Sequence, residues 1–170
     1  MNRRNILSIS GIVAFGLALL PGGAVGQQRS IKEQIVGVWT LVSFDSFDAG
    51  GTKIPNMEGR DVKGQYIFTD NGRMSFQIIT EFPKLASNAR LNSTPAEDKA
   101  VAHGVLSYFG SYTVSEADKI ISLNIERSSF PNQIASNVKR VATFTGDELK
   151  LDNPGRLAGG RTVTVWRRVK

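Results

Sequence analysis

From residue 35 onward the chain is a succession of short segments in which apolar and polar positions alternate, separated by clusters of Gly, Asn, Asp and Pro. Period-two alternation is the mark of strands with one face buried. Residues 35–44, rich in Val, Trp, Thr and Phe, predict a long first strand. Residues 63–69 and 73–79 flank Asp70-Asn71-Gly72, a hairpin signal because Asn-Gly tolerates the positive φ of a tight turn. Five more strands are predicted at 108–115, 119–128, 137–145, 148–152 and 162–168. The links at 116–118 and 146–147 are short, the one at 152–160 looser, and 48–61 and 82–93 read as irregular. One helix is marked: Thr94 as cap, Pro95 at the first helical position and Glu97 completing a capping box. Val101, Ala102, Val105 and Leu106 would give it an apolar face. The Asn92-Ser93-Thr94 sequon is then a chance match, its threonine being the cap. Eight strands, one helix and no strand-helix rhythm predict an all-β antiparallel fold. The expected form is an eight-stranded up-and-down barrel, which removes sheet edges and leaves room for one small ligand. A two-sheet sandwich is the alternative.

Alternation also says which polar groups share a face with apolar rows. Ile121, Leu123, Ile125 and Arg127 fall on one face, and Val138, Arg140, Ala142 and Phe144 on one face of the next strand. A buried guanidinium needs a counter-charge. Glu126, Asp45 or Glu81 could supply it, or an anionic ligand headgroup held bidentately. The competing reading is that both arginines lie near strand ends and extend to solvent. Met74, Phe76 and Ile78 form another apolar row, opposed by Ser75 and Gln77, while Tyr66 with Phe68 and Tyr112 with Val114 add aromatic rows with hydroxyl tips. If a cavity is open, Tyr66, Gln77 and Tyr112 are the groups that would orient a guest. Gly37 and Trp39 open the first strand, where an indole can plug one end of a barrel with its N–H on a backbone carbonyl. Trp39→Ala is expected to cost about 3–5 kcal/mol as a large-to-small core change.

Upstream, the pattern differs. Arg3 and Arg4 precede an uncharged apolar run from Ile6 to Leu20, broken by Pro21-Gly22-Gly23 and followed by Ala24-Val25-Gly26. The pattern predicts a cleavable signal peptide over residues 1–26, with cleavage before Gln27, rather than a single membrane anchor. The run is shorter than the ~20 residues a membrane span needs. Arg3-Arg4-Asn5-Ile6-Leu7 also fits the twin-arginine pattern, so both the general secretory and the twin-arginine routes stay open. The expected location is periplasmic or secreted. Residues 27–34 read as a flexible lead-in or a short helix, and 35–170 as one domain.

Removing Arg3 and Arg4 takes the basic residues from 21 to 19 against 15 acidic, a net +4 rather than +6. No polybasic run or basic-aromatic interleave points to nucleic acid, and no membrane span is expected after cleavage. With 0 Cys there is no disulfide, thiolate site or thiol nucleophile. His103 is the single histidine, and the helical wheel turns it toward solvent. Neither glycine spacing nor carboxylate clustering predicts a cofactor or a metal.

The strand residues carry a resemblance. Val36-Gly37-Val38-Trp39-Thr40-Leu41-Val42-Ser43, Asp70-Asn71-Gly72-Arg73-Met74-Ser75-Phe76-Gln77-Ile78, Phe82-Pro83-Lys84-Leu85-Ala86-Ser87, Tyr108-Phe109-Gly110-Ser111-Tyr112, Phe130-Pro131-Asn132 and Gly159-Gly160-Arg161-Thr162 are similar to the bacterial lipocalin-like domain family over roughly residues 35–168. The resemblance implies an eight-stranded barrel holding a small hydrophobic molecule. It also implies an arginine of the last strand across the Trp39 ring, with Arg161 or Arg167 as candidates. The sequence departs from the family pattern at Glu126-Arg127-Ser128 and at Gln133 after Asn132. Three functions follow as expectations. The first is binding of a small hydrophobic or amphipathic molecule, one bearing a carboxylate if Arg127 and Arg140 face it. The second is a barrel-enclosed isomerase or cyclase using Tyr66, Tyr112 or Glu126. The third is a filled structural barrel acting through loops 48–61 and 82–93.

Overall fold

A computed structural model describes residues 29–55, 61–155 and 159–170, the side chains of Arg90 and Asn137 excepted. Residues 1–26, expected from the sequence to be a signal peptide, and parts of loops 48–61 and 152–160 lie outside the described residues. Helix α1 spans Ile31–Ile35 and α2 Pro95–Gly104. The strands are β1 Gly37–Phe47, β2 Lys53–Ile54, β3 Val62–Phe68, β4 Arg73–Thr80, β5 Val105–Ser115, β6 Ile120–Ser128, β7 Asn137–Thr145, β8 Glu148–Asn153 and β9 Arg161–Arg168.

Each strand pairs antiparallel with the next, apart from the two-residue β2, which flanks β1 at the edge. β9 returns to pair with β1, Trp39 opposite Arg168 and Phe47 opposite Arg161, and this closes eight strands into a barrel. The sandwich alternative is thereby set aside. Closure satisfies the backbone groups that an open sheet would expose. Inward positions of the alternation fill the interior: Trp39, Phe68, Met74, Phe76, Ile78, Ile121, Leu123, Ile125, Leu149, Leu151 and Trp166 are all buried.

Two irregularities break the period of two. Between β1 and β9, Leu41 faces Trp166 and Ser43 faces Val165, so Val42 is an extra residue and stands exposed. Phe44 and Ser46 are then the residues that turn inward. Between β5 and β6, Phe109 faces Arg127 but Gly110 faces Ile125, so Glu126 is the extra residue. A Cβ on Gly110 would overlap the carbonyl oxygen of Asn124, so glycine is what allows β6 to bulge over it.

The chain begins differently from the expectation that a strand starts at residue 35. Ser30 accepts from the Glu33 amide and Glu33 reaches back to the Ser30 amide, a complete capping box for α1. The Glu116 carboxylate, in the β5–β6 turn, accepts from the amides of Ile31 (2.8 Å) and Lys32 (2.9 Å). Ile31 and Ile35 are buried, so this short helix seals one end of the barrel. The second helix has its expected capping box through Thr94 and Glu97. It stops at Gly104, which has no room for a Cβ against Phe82 and Thr80. Val105 and Leu106, expected on its apolar face, instead open β5, while Val101 and Ala102 are exposed.

Candidate functional site

The two ends of the barrel are chemically distinct. At the end sealed by α1, Trp39 donates its indole N–H to the Ile35 carbonyl at 2.8 Å. The guanidinium of Arg168 lies over the indole, 4.2 Å from the ring centroid. It also donates to the carbonyl oxygens of Val36 (2.8 Å) and Gln34. Gly37, at φ +137°, leaves the space that the guanidinium fills; a Cβ would sit 2.7 Å from Arg168 Nη1. The expected arginine over the tryptophan is therefore present, but it is Arg168. Register decides this, because Arg168 is the cross-strand partner of Trp39. Arg161 lies at the far end, pairing with Asp152 at 2.5–3.0 Å, and Arg167 points outward to Glu148 at 2.8 Å.

Toward the other end the barrel holds a cavity of about 210 Å³, so the filled-barrel expectation does not describe the interior. Its apolar wall is Phe44, Tyr66, Phe76, Leu106, Tyr108, Phe130 and Leu151; Gln133, Arg140, Asn153, Thr162 and Thr164 add polar groups. The rings are ordered against one another. Phe76 and Tyr108 stack at 4.3 Å and 10°, while Tyr66 meets Phe76 edge-on at 5.0 Å and 76°. Trp166 meets Tyr66 at 5.4 Å and Phe76 at 5.7 Å, edge-on in each case. Its indole N–H donates to Thr164 Oγ1 at 2.7 Å.

Of the five ligand candidates, the structure brings Tyr66 and Arg140 together on this cavity. Tyr66 is 1% exposed, and its hydroxyl stands 3.5 Å from that of Tyr108, at the weak limit of hydrogen bonding. Burial pushes the Tyr66 phenol well above its ordinary value of 10.0; Tyr108 adds to the shift and Arg140 opposes it. The phenol is therefore a neutral donor. Arg140 lies half-buried on the inward face of β7, where Nη1 donates to the Lys139 carbonyl at 3.0 Å. Among the described residues no carboxylate pairs with it.

The other three candidates are placed elsewhere. Gln77 is on the outer face of β4, as its alternation with Phe76 and Ile78 requires. Tyr112 faces inward, but its hydroxyl donates to the Thr69 carbonyl at 2.8 Å and its ring meets Phe68 edge-on at 5.1 Å, so it braces the β3–β4 hairpin. Arg127 is exposed and donates to the Glu126 carbonyl at 2.8 Å, because the extra residue at Glu126 flips the strand. The carboxylates considered as partners are also engaged outside. Glu126 forms a two-pronged pair with Arg73 at 2.5 and 3.0 Å, which holds its carboxyl below the usual range. Asp45 pairs with Lys53 at 2.6 Å, and Glu81 is exposed. Neither Glu126 nor Tyr112 can then act as an acid or base inside the barrel. Sequence reasoning missed Tyr108 and Leu106, which line the cavity, and Trp166, which backs the Tyr66 and Phe76 rings.

No group of three or more His, Cys, Asp or Glu that could hold a metal occurs among the described residues, and no described helix is long and apolar enough to cross a membrane. No curated protein matches the sequence. Among solved structures the chain is similar to fatty-acid-binding protein 1 of Echinococcus granulosus, at 19% identity and TM-score 0.38, covering 81% of this chain and 99% of that one. It is also similar to a mutant of the fluorescent protein UnaG, at 14% identity and TM-score 0.39, covering 81% of this chain and 97% of that one. A family model for the lipocalin-like domain matches residues 36–169, from the Trp39 strand through to the arginine that covers it, and the chain belongs to that family.

Proposed function

We propose that this protein is an exported binder of a small amphipathic molecule bearing a carboxylate, its ring or chain among the cavity rings and its headgroup on Arg140. The observation that carries the reading is the half-buried Arg140 guanidinium on an aromatic cavity, with no carboxylate partner among the described residues. A charge in such surroundings is costly unless it is matched. A ligand carboxylate would accept from the guanidinium in two-pronged fashion and from the neutral Tyr66 hydroxyl. Export over residues 1–26 would put this activity outside the cytoplasm.

The test is a titration of delipidated protein with 3-phenylpropanoate and with octanoate, read by tryptophan fluorescence, since Trp166 touches two cavity rings. Saturable binding is expected. Losing a charge-assisted hydrogen bond costs about 1.5–3 kcal/mol, so Arg140→Gln should weaken it by roughly 10- to 150-fold. Arg127→Gln, altered on the outer face, should leave it unchanged. No saturable binding, or equal effects of the two substitutions, would refute the reading.

A further inference from the structure

We infer that the cavity is shaped for a compact one-ring aromatic acid rather than a long alkyl acid; this rests on the carboxylate reading just proposed. Volume is the first argument. A cavity of about 150 Å³ takes up a benzene molecule, and typical pockets for larger ligands start near 300 Å³. At about 210 Å³, this one has room for a single ring and a short acidic arm.

Depth is the second argument. Tyr66, Phe76 and Trp166 interlock edge-to-face across the middle of the barrel. Below this floor, Trp39, Phe68, Leu123 and Leu149 are buried and none of them lines the cavity. A long chain therefore has no passage along the barrel axis and would have to leave most of its carbons at the mouth.

Ring geometry is the third argument. The stacked Phe76–Tyr108 pair and the edge-on Tyr66 present flat faces and hydrogen-bearing edges in fixed orientations. Aromatic pairs in stacked or edge-to-face arrangements attract one another beyond what their buried area gives. An alkyl chain makes no such contact. Because Tyr66 and Tyr108 hold their hydroxyls 3.5 Å apart, each phenol keeps most of its donor strength for a third polar atom.

The experiment compares 3-phenylpropanoate, octanoate and hexadecanoate, each titrated below its aggregation limit into the delipidated protein by calorimetry. The aryl acid should bind at least ten-fold tighter than octanoate, and hexadecanoate no tighter than octanoate. Replacing Phe76 by Leu should reduce that preference to three-fold or less. Equal affinities of the wild-type protein for all three, or affinity climbing with chain length, overturn the inference and leave the carboxylate reading intact. Failure of all three to bind removes both. The wild-type comparison decides the matter even if the Phe76→Leu variant does not fold.

Discussion

Arg167 and Arg168 are neighbours on β9, yet the barrel geometry gives them opposite weight. Arg168→Met removes the cation over the Trp39 ring, worth about 0.5–2 kcal/mol depending on desolvation. It also strips the donors from the carbonyls of Val36 and Gln34, where α1 hands over to β1. Hydrogen bonds to charged groups contribute about 1.5–3 kcal/mol each when buried. Arg168 is half-buried, and water can reach part of the vacated space, so the combined loss should be about 3 kcal/mol. Methionine keeps much of the stem that packs on the indole, so the loss is not simply one of apolar area. Arg167→Met breaks only the pair with Glu148, whose side chains are 61% and 43% exposed. Exposed pairs of this kind contribute about 0–1 kcal/mol. Urea denaturation followed by tryptophan fluorescence gives both values, and for a domain of this size about 3 kcal/mol lowers the melting temperature by roughly 10 °C. Arg168→Lys keeps the charge but cannot fork across two carbonyls, so it should recover less than half of the loss. If the Met variants cost the same within about 0.5 kcal/mol, the clamp argument is wrong.

Gly110→Ala places a methyl group against the Asn124 carbonyl and should cost about 2 kcal/mol or more by urea denaturation, since the β6 bulge must open to admit it. Acid should weaken the protein in a defined direction. Glu33, Glu97 and Glu126 are held below the ordinary 4.5 by the Ser30 amide, the Thr94 amide and Arg73 respectively, so their contribution is complete above that value and fades as pH falls through their lowered folded-state values. A melting temperature that did not fall between about pH 5 and pH 3 would contradict this. Ligand affinity should stay flat from about pH 7 to pH 9, because burial keeps the Tyr66 phenol a neutral donor throughout; a loss of affinity across that range in calorimetry would contradict it.

The eight strands and their closure were legible because alternation survives wherever one face is buried. What alternation cannot reveal is a residue that belongs to neither face. The bulge at Glu126 depends on Gly110 in another strand, so nothing local to 119–128 announces it. The Trp39 partner likewise depends on β1–β9 register, itself shifted by Val42, and that is why the sequence pointed to Arg161 or Arg167 and passed over Arg168. Other omissions had a signal available. Tyr108, Gly110 and Tyr112 share parity on β5, so an inward Tyr112 implied an inward Tyr108. Gln77 alternates with Phe76 and Ile78, so its outward face was readable from the row itself.

The two arginines that looked equivalent separate for this reason. Along β7 the register is unbroken, with β6 over residues 137–141 and with β8 over residues 141–145. Parity counted from Ala142 therefore holds back to Arg140, and the guanidinium enters the barrel. On β6 the count from Ile125 to Arg127 crosses the extra residue and fails. A polar residue in an apolar row thus points to a site only when the register between it and the row is free of bulges, and a glycine opposite the row is the place to look for one. By that criterion Arg140 is the charged side chain that reaches the cavity among the described residues, and the proposed ligand chemistry rests on its guanidinium and a pair of phenols.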